Sequence, residues 1–121
     1  MSADPARTPD PTDPEDLKII TLARSTRARS GAAEGACVRD TDGRTYAAGA
    51  VSLPSLRLSA LQVAVAMSAS SGVTGLEAAA VVTAAHTVDE AGVAAVRDAG
   101  GSGLPIYRAD VTGTVGGVLT T

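Results

Sequence analysis

The sequence predicts an α/β protein, a mixed β-sheet with helices on its faces. Three observations carry this. Segments of helical spacing alternate with short β-prone runs along 121 residues, and strand–helix–strand crossovers normally bring parallel strands side by side. Asp42-Gly43 separates two β-prone runs and marks a tight antiparallel hairpin. The run AAAVVTAA at 78–85 is short and apolar, as suits a buried strand.

Taken in order, the chain opens with prolines at 5, 9, 11 and 14 among acidic residues and without an apolar stretch. Residues 1–14 therefore read as a disordered tail and not a secretory signal, leaving 15–121 as one domain. Asp13 or Thr12 is placed to cap a first helix, with Pro14 at its first position and Glu15 and Asp16 in its first turn. Leu17, Ile20, Leu22 and Ala23 give that helix an apolar side. Arg24, Arg27 and Arg29 load its C-terminal half, where cations suit the dipole, and Gly31 should end it. The hairpin strands are expected at 35–39 and 45–51.

A second helix is expected at 55–71, opened by Pro54 and Ser55, with Leu58, Leu61, Val65 and Met67 as its stripe. After Arg57 it carries no charge, so it should be central to the fold or packed in an interface. A buried strand follows at 76–85. Helical spacing returns at 88–99, with Val88, Ala91 or Gly92, Ala95, Val96 and Ala99 inward and Asp89, Glu90, Arg97 and Asp98 toward water. The glycines at 100–103 end this helix before a strand at 104–107, and 111–119 is either a last strand or a short terminal segment.

Composition narrows the function classes. Hydrophobic residues make up 45% of the chain, yet there is no Phe or Trp and only two Tyr. Alanine, valine and leucine must fill the core, and each buried methylene contributes only about 0.8 kcal/mol. A subunit interface would relieve that shortage. The net charge of −3 and pI near 4.9 argue against broad wrapping by a phosphate backbone. The charge-free stretch 58–75 is too polar to span a membrane, so no membrane association and a cytoplasmic location are expected.

Cys37 is the only cysteine, which excludes an intrachain disulfide and a multi-cysteine metal site. It reads as a small core residue, since no His or Lys flanks it to activate a thiol. His86, the only histidine, reads as structural or surface; a metal site with Asp89 and Glu90 lacks a diagnostic spacing. The glycines at 100–103 follow a helix and precede a strand, the reverse of a phosphate-cradling loop. Arg24, Arg27, Arg39, Arg44 and Arg57 are the candidates for anion binding, toward RNA, a nucleotide phosphate or an acidic protein partner. Solvation of the first helix and hairpin is the plainer reading, and aromatic residues for base stacking are missing.

The order of elements, together with the GACVRDTDGRTY hairpin at 35–46, the helix LSALQVAVA at 58–66 and the turn at 100–106, resembles the cytidine deaminase superfamily across about residues 16–110. The Ala- and Arg-rich composition is similar to that of actinobacterial members. The resemblance implies a three-layer α/β/α sandwich with an N-terminal β-hairpin, assembled as a homodimer or homotetramer. It also implies a zinc-dependent hydrolase, in which three ligands hold the metal and a glutamate moves protons.

The matching positions do not carry those groups. Ser59 and Leu61 fall where the family has its first ligand and its glutamate, and Asp89 and Gly92 fall where it has its Cys-x-x-Cys pair. Between Tyr46 and Leu61 there is also no Asn or Glu of the kind the family uses for the ribose. The expectation is a catalytically inactive, homo-oligomeric protein that binds no metal or other cofactor and acts in binding, assembly or regulation. The alternatives are a divergent nucleoside or nucleotide deaminase or hydrolase with a relocated site, and an RNA-associated protein using the arginine-rich face.

Overall fold

A computed structural model describes residues 11–121; most of the expected tail, including the prolines at 5 and 9, lies outside the described residues. Helix α1 (Pro14–Ser30) starts where the sequence places it. The Asp13 side chain accepts a hydrogen bond from the Glu15 N–H at 2.8 Å, and Pro14 takes the first turn. Gly31, at φ 68°, closes it in the left-handed conformation and donates to the Arg27 carbonyl. Its inward stripe is Ile19, Ile20, Ala23 and Thr26. Leu17 is 46% exposed because it lies round the helix from that stripe, and Ile19 takes the core position instead.

Strands β1 (Glu34–Asp40) and β2 (Thr45–Gly49) form the expected antiparallel hairpin, with Cys37 opposite Ala47. The Asp40 carboxylate organises the turn by accepting from the N–H groups of Asp42 and Arg44, each at 2.9 Å, while Gly43 adopts φ 84°. The hairpin is not N-terminal: the described chain begins with α1, which packs directly over β1. That approach is close enough for a Cβ on Gly35 to collide with the Ala23 carbonyl.

Residues 51–58, which include the expected start of the central helix, instead form a separate small hairpin, β3 (Val51–Leu53) with β4 (Leu56–Leu58). Pro54 and Ser55 make its turn and do not open a helix; proline's fixed φ suits either position. Helix α2 (Ala60–Ser70) begins at a capping box. Ser59 Oγ accepts from the Gln62 N–H at 3.2 Å, and Gln62 Oε1 accepts from the Ser59 N–H at 2.9 Å.

Strand β5 (Leu76–Thr83), helix α3 (Glu90–Gly100), strand β6 (Pro105–Ala109) and strand β7 (Val115–Thr120) complete the chain. The sheet order is β2-β1-β5-β6-β7; only β5 and β6 run parallel, joined across α3. Alternation along the strands gives two cores. Ala36, Val38, Ala79, Val81 and Ile106 meet α2 and α3 on one face. Cys37, Ala78, Ala80, Val82 and Ala109 meet α1 on the other. The result is a central mixed sheet flanked by helices. No helix among the described residues is long and apolar enough to cross a membrane.

Helix α1 is also tied to the sheet by polar bonds. Arg39 is buried and ion-paired at 2.9 Å to both Asp16 of α1 and Glu77 of β5. Asp16 accepts a second bond, from the Tyr107 hydroxyl at 2.8 Å. Burial first, and then this carboxylate, push the Tyr107 hydroxyl up to about 12.

Candidate functional site

The starts of α2 and α3 converge, bringing Ser59 and Leu61 against Gly92. Ser59 caps α2. Asp89 caps α3, its Oδ2 accepting from the Gly92 N–H at 2.9 Å. Gly92 is buried, and a Cβ built on it would lie 3.0 Å from Leu61 Cβ and 3.2 Å from Ser59 Oγ. Leu61 is almost fully enclosed. Gly92 thus packs against Leu61 and Ser59 where the two helix ends meet, and Asp89 caps the α3 side of that contact.

That arrangement does not fit zinc. A zinc site needs deprotonated sulfur, imidazole or carboxylate donors aimed at a common point. Here the Ser59 hydroxyl and the Asp89 carboxylate each hold the backbone of their own helix end. Leu61 offers no donor atom, and Gly92 has no side chain. Among the described residues there is no group of three or more His, Cys, Asp and Glu side chains placed to hold a metal.

The remaining candidates lie apart. Cys37 is fully buried in β1 facing α1, and burial pushes its thiol up to about 11, which keeps it protonated and unreactive. His86 is exposed in the loop between β5 and α3, and among the described residues it belongs to no group placed to hold a metal.

The arginines do not form one surface. Arg39 is committed to two carboxylates inside the fold. Arg27 donates from Nε to the Ala33 carbonyl at 3.2 Å, and Arg24 is exposed on α1 with its chain near Gly113. Arg44 is exposed at the hairpin turn. Arg57 is exposed on β4, which packs with α2 on the sheet face opposite α1.

Two kinds of residue escaped sequence reasoning. Asp16 and Glu77, the partners of Arg39, are 23 and 38 residues from it, and no local pattern links them. Gln62 was legible: Ser-x-x-Gln ahead of an apolar run is a helix-start signature, and it places the start four residues beyond Pro54-Ser55.

Comparison with known proteins supplies the frame for this geometry. The family model that matches, described as cytidine deaminase-like, covers residues 12–113. Among solved structures, a cytidine deaminase from Burkholderia pseudomallei is 22% identical, with a TM-score of 0.75 over 85% of this chain and 90% of that one. A cytidine deaminase from Mycobacterium leprae is 21% identical, with a TM-score of 0.68 over 85% and 90%. A Glu-to-Gln mutant of the Mycobacterium tuberculosis cytidine deaminase is 25% identical, with a TM-score of 0.59 over 71% and 82%. No curated protein matches the sequence.

Proposed function

The chain belongs to the cytidine deaminase-like family, and from that premise we propose that it is a non-catalytic member acting through binding or assembly. The contact of Leu61 with Gly92 carries this reading. Hydrolytic removal of an amine by a zinc deaminase needs a metal-activated water and a carboxyl group that passes protons. At the helix ends where the family supplies both, this chain has a leucine side chain seated against a glycine. The polar groups nearby serve as helix caps.

Assembly fits the character of α2. Its exposed residues Ala66, Met67, Ala69 and Ser70 carry no charge, and Leu53 and Leu56 of the neighbouring small hairpin are 55% and 47% exposed. A homo-oligomer covering these side chains would add apolar burial to a core built from small residues. RNA association through the arginines is the weaker reading, because Arg39 is internally paired and Arg57 lies across the sheet from α1.

Ammonia release from cytidine and adenosine, measured on the purified full chain with zinc supplied, tests the proposal. No release above the protein-free rate is expected. Turnover that scales with protein concentration would favour the divergent deaminase instead.

A further inference from the structure

Helix α3 presents two faces. Gly92 and Val96 are buried in the fold, whereas Glu90, Val93, Ala94 and Arg97, spaced as one helical stripe, line an open groove of about 740 Å³. The floor of this groove is the β6–β7 half of the sheet, contributing Arg108, Leu119 and Thr120. Its end is the loop carrying His86 and Thr87.

Arg108 is half-buried on this floor. Its guanidinium lies against the Gly116-Gly117 backbone of β7: a Cβ on Gly116 would stand 3.1 Å from both terminal nitrogens, and one on Gly117 would stand 3.2 Å from one of them. Two successive glycines in a strand interior weaken it. Here they leave room for a flat cation. Both ion pairs among the described residues belong to Arg39, so neither Arg97 nor Arg108 has a carboxylate partner there. The groove therefore holds two unpaired guanidiniums and an imidazole against one carboxylate, Glu90, with an apolar strip of Val93 and Leu119 beside them.

We propose that this groove is a binding site for a small organic phosphate, its phosphate held by Arg97 and Arg108 and its apolar body laid along Val93 and Leu119. A partly desolvated guanidinium without a partner favours an oxyanion, and charge-assisted bonds to phosphate are among the stronger ones available. The two arginines rise from different walls, one from α3 and one from the strand floor. A tetrahedral group with three terminal oxygens can bridge them. The site lies on the opposite side of α3 from the Leu61–Gly92 contact, so it does not depend on the non-catalytic reading.

Naphthyl phosphate is a suitable probe, titrated into the isotope-labelled full chain and followed by backbone amide shifts. Saturable shifts are expected at residues 86–97 and 116–120, with none from uncharged naphthol. Arg97→Gln, on an exposed helix position, should weaken binding about tenfold. Arg108→Lys should weaken it less than Arg108→Gln, and Arg24→Gln should leave it unchanged. Equal binding of naphthol, an unaltered affinity in Arg97→Gln, or the absence of saturable shifts in the groove would overturn the assignment.

Discussion

The Leu61 side chain and Gly92 share one packing position: the Cβ that Gly92 lacks would stand 3.0 Å from the Cβ that Leu61 has. A side chain at position 92 and the leucine at position 61 compete for the same space, so the two positions are coupled.

Gly92→Ala should destabilise the fold by about 1–3 kcal/mol through overpacking against Leu61 and Ser59. In a Leu61→Ala background the same substitution should cost somewhat less, because the 3.2 Å contact with Leu61 Cδ2 is gone while those with the Cβ at position 61 and with Ser59 Oγ remain. Chemical denaturation of the two single variants and the double variant measures the coupling.

Ser59→Ala removes the Oγ bond to the Gln62 N–H at the start of α2, leaving the bond from the backbone N–H of residue 59 to Gln62 Oε1, and should cost about 1 kcal/mol. Ser55→Ala, in the turn of the small hairpin, should fall within about 0.5 kcal/mol of the parent. Denaturant midpoints compared at constant m-value distinguish them; a larger loss at Ser55 would place the helix start wrongly.

Arg39→Met leaves Asp16 and Glu77 without their shared cation and should lower stability by about 2 kcal/mol, less than for a fully buried pair because Glu77 is 44% exposed. Tyr107→Phe, which removes the other bond to Asp16, should be non-additive with it.

Stability should fall at alkaline pH. Cys37 is pushed from an ordinary value of 9.0 up to about 11, chiefly by burial, and Tyr107 from 10.0 up to about 12. Between each pair of values the unfolded chain has lost the proton that the folded chain keeps. Stability from these groups is therefore complete below the lower value and lost as pH rises toward the upper one. Denaturation from pH 8 to 11 should show the decline beginning near 9, and Cys37→Ala should move its onset upward.

Much of the architecture was written locally. The Asp13-Pro14 start, the Asp42-Gly43 turn and the inward spacing of Val88, Gly92 and Val96 all act over a few residues, and all lie where local chemistry put them. The central helix was misread over its first turn because Pro54-Ser55 serves a hairpin turn as well as it serves a helix start. The Ser59–Gln62 box was the better guide. In the sequence, the resemblance pointed to Ser59, Leu61, Asp89 and Gly92 as positions without the family's metal donors and glutamate. What those positions do instead was not legible, because the Leu61–Gly92 contact joins elements that meet only in the folded chain. The Arg108 position was hidden for the same reason: its glycine floor belongs to a different strand.

Zinc bound per chain, measured by equilibrium dialysis and elemental analysis of the full-length protein, tests the central claim most directly. Well under one equivalent, unchanged when Ser59 and Asp89 are both replaced by alanine, is the predicted result. Stoichiometric zinc that is lost in that double variant would contradict it.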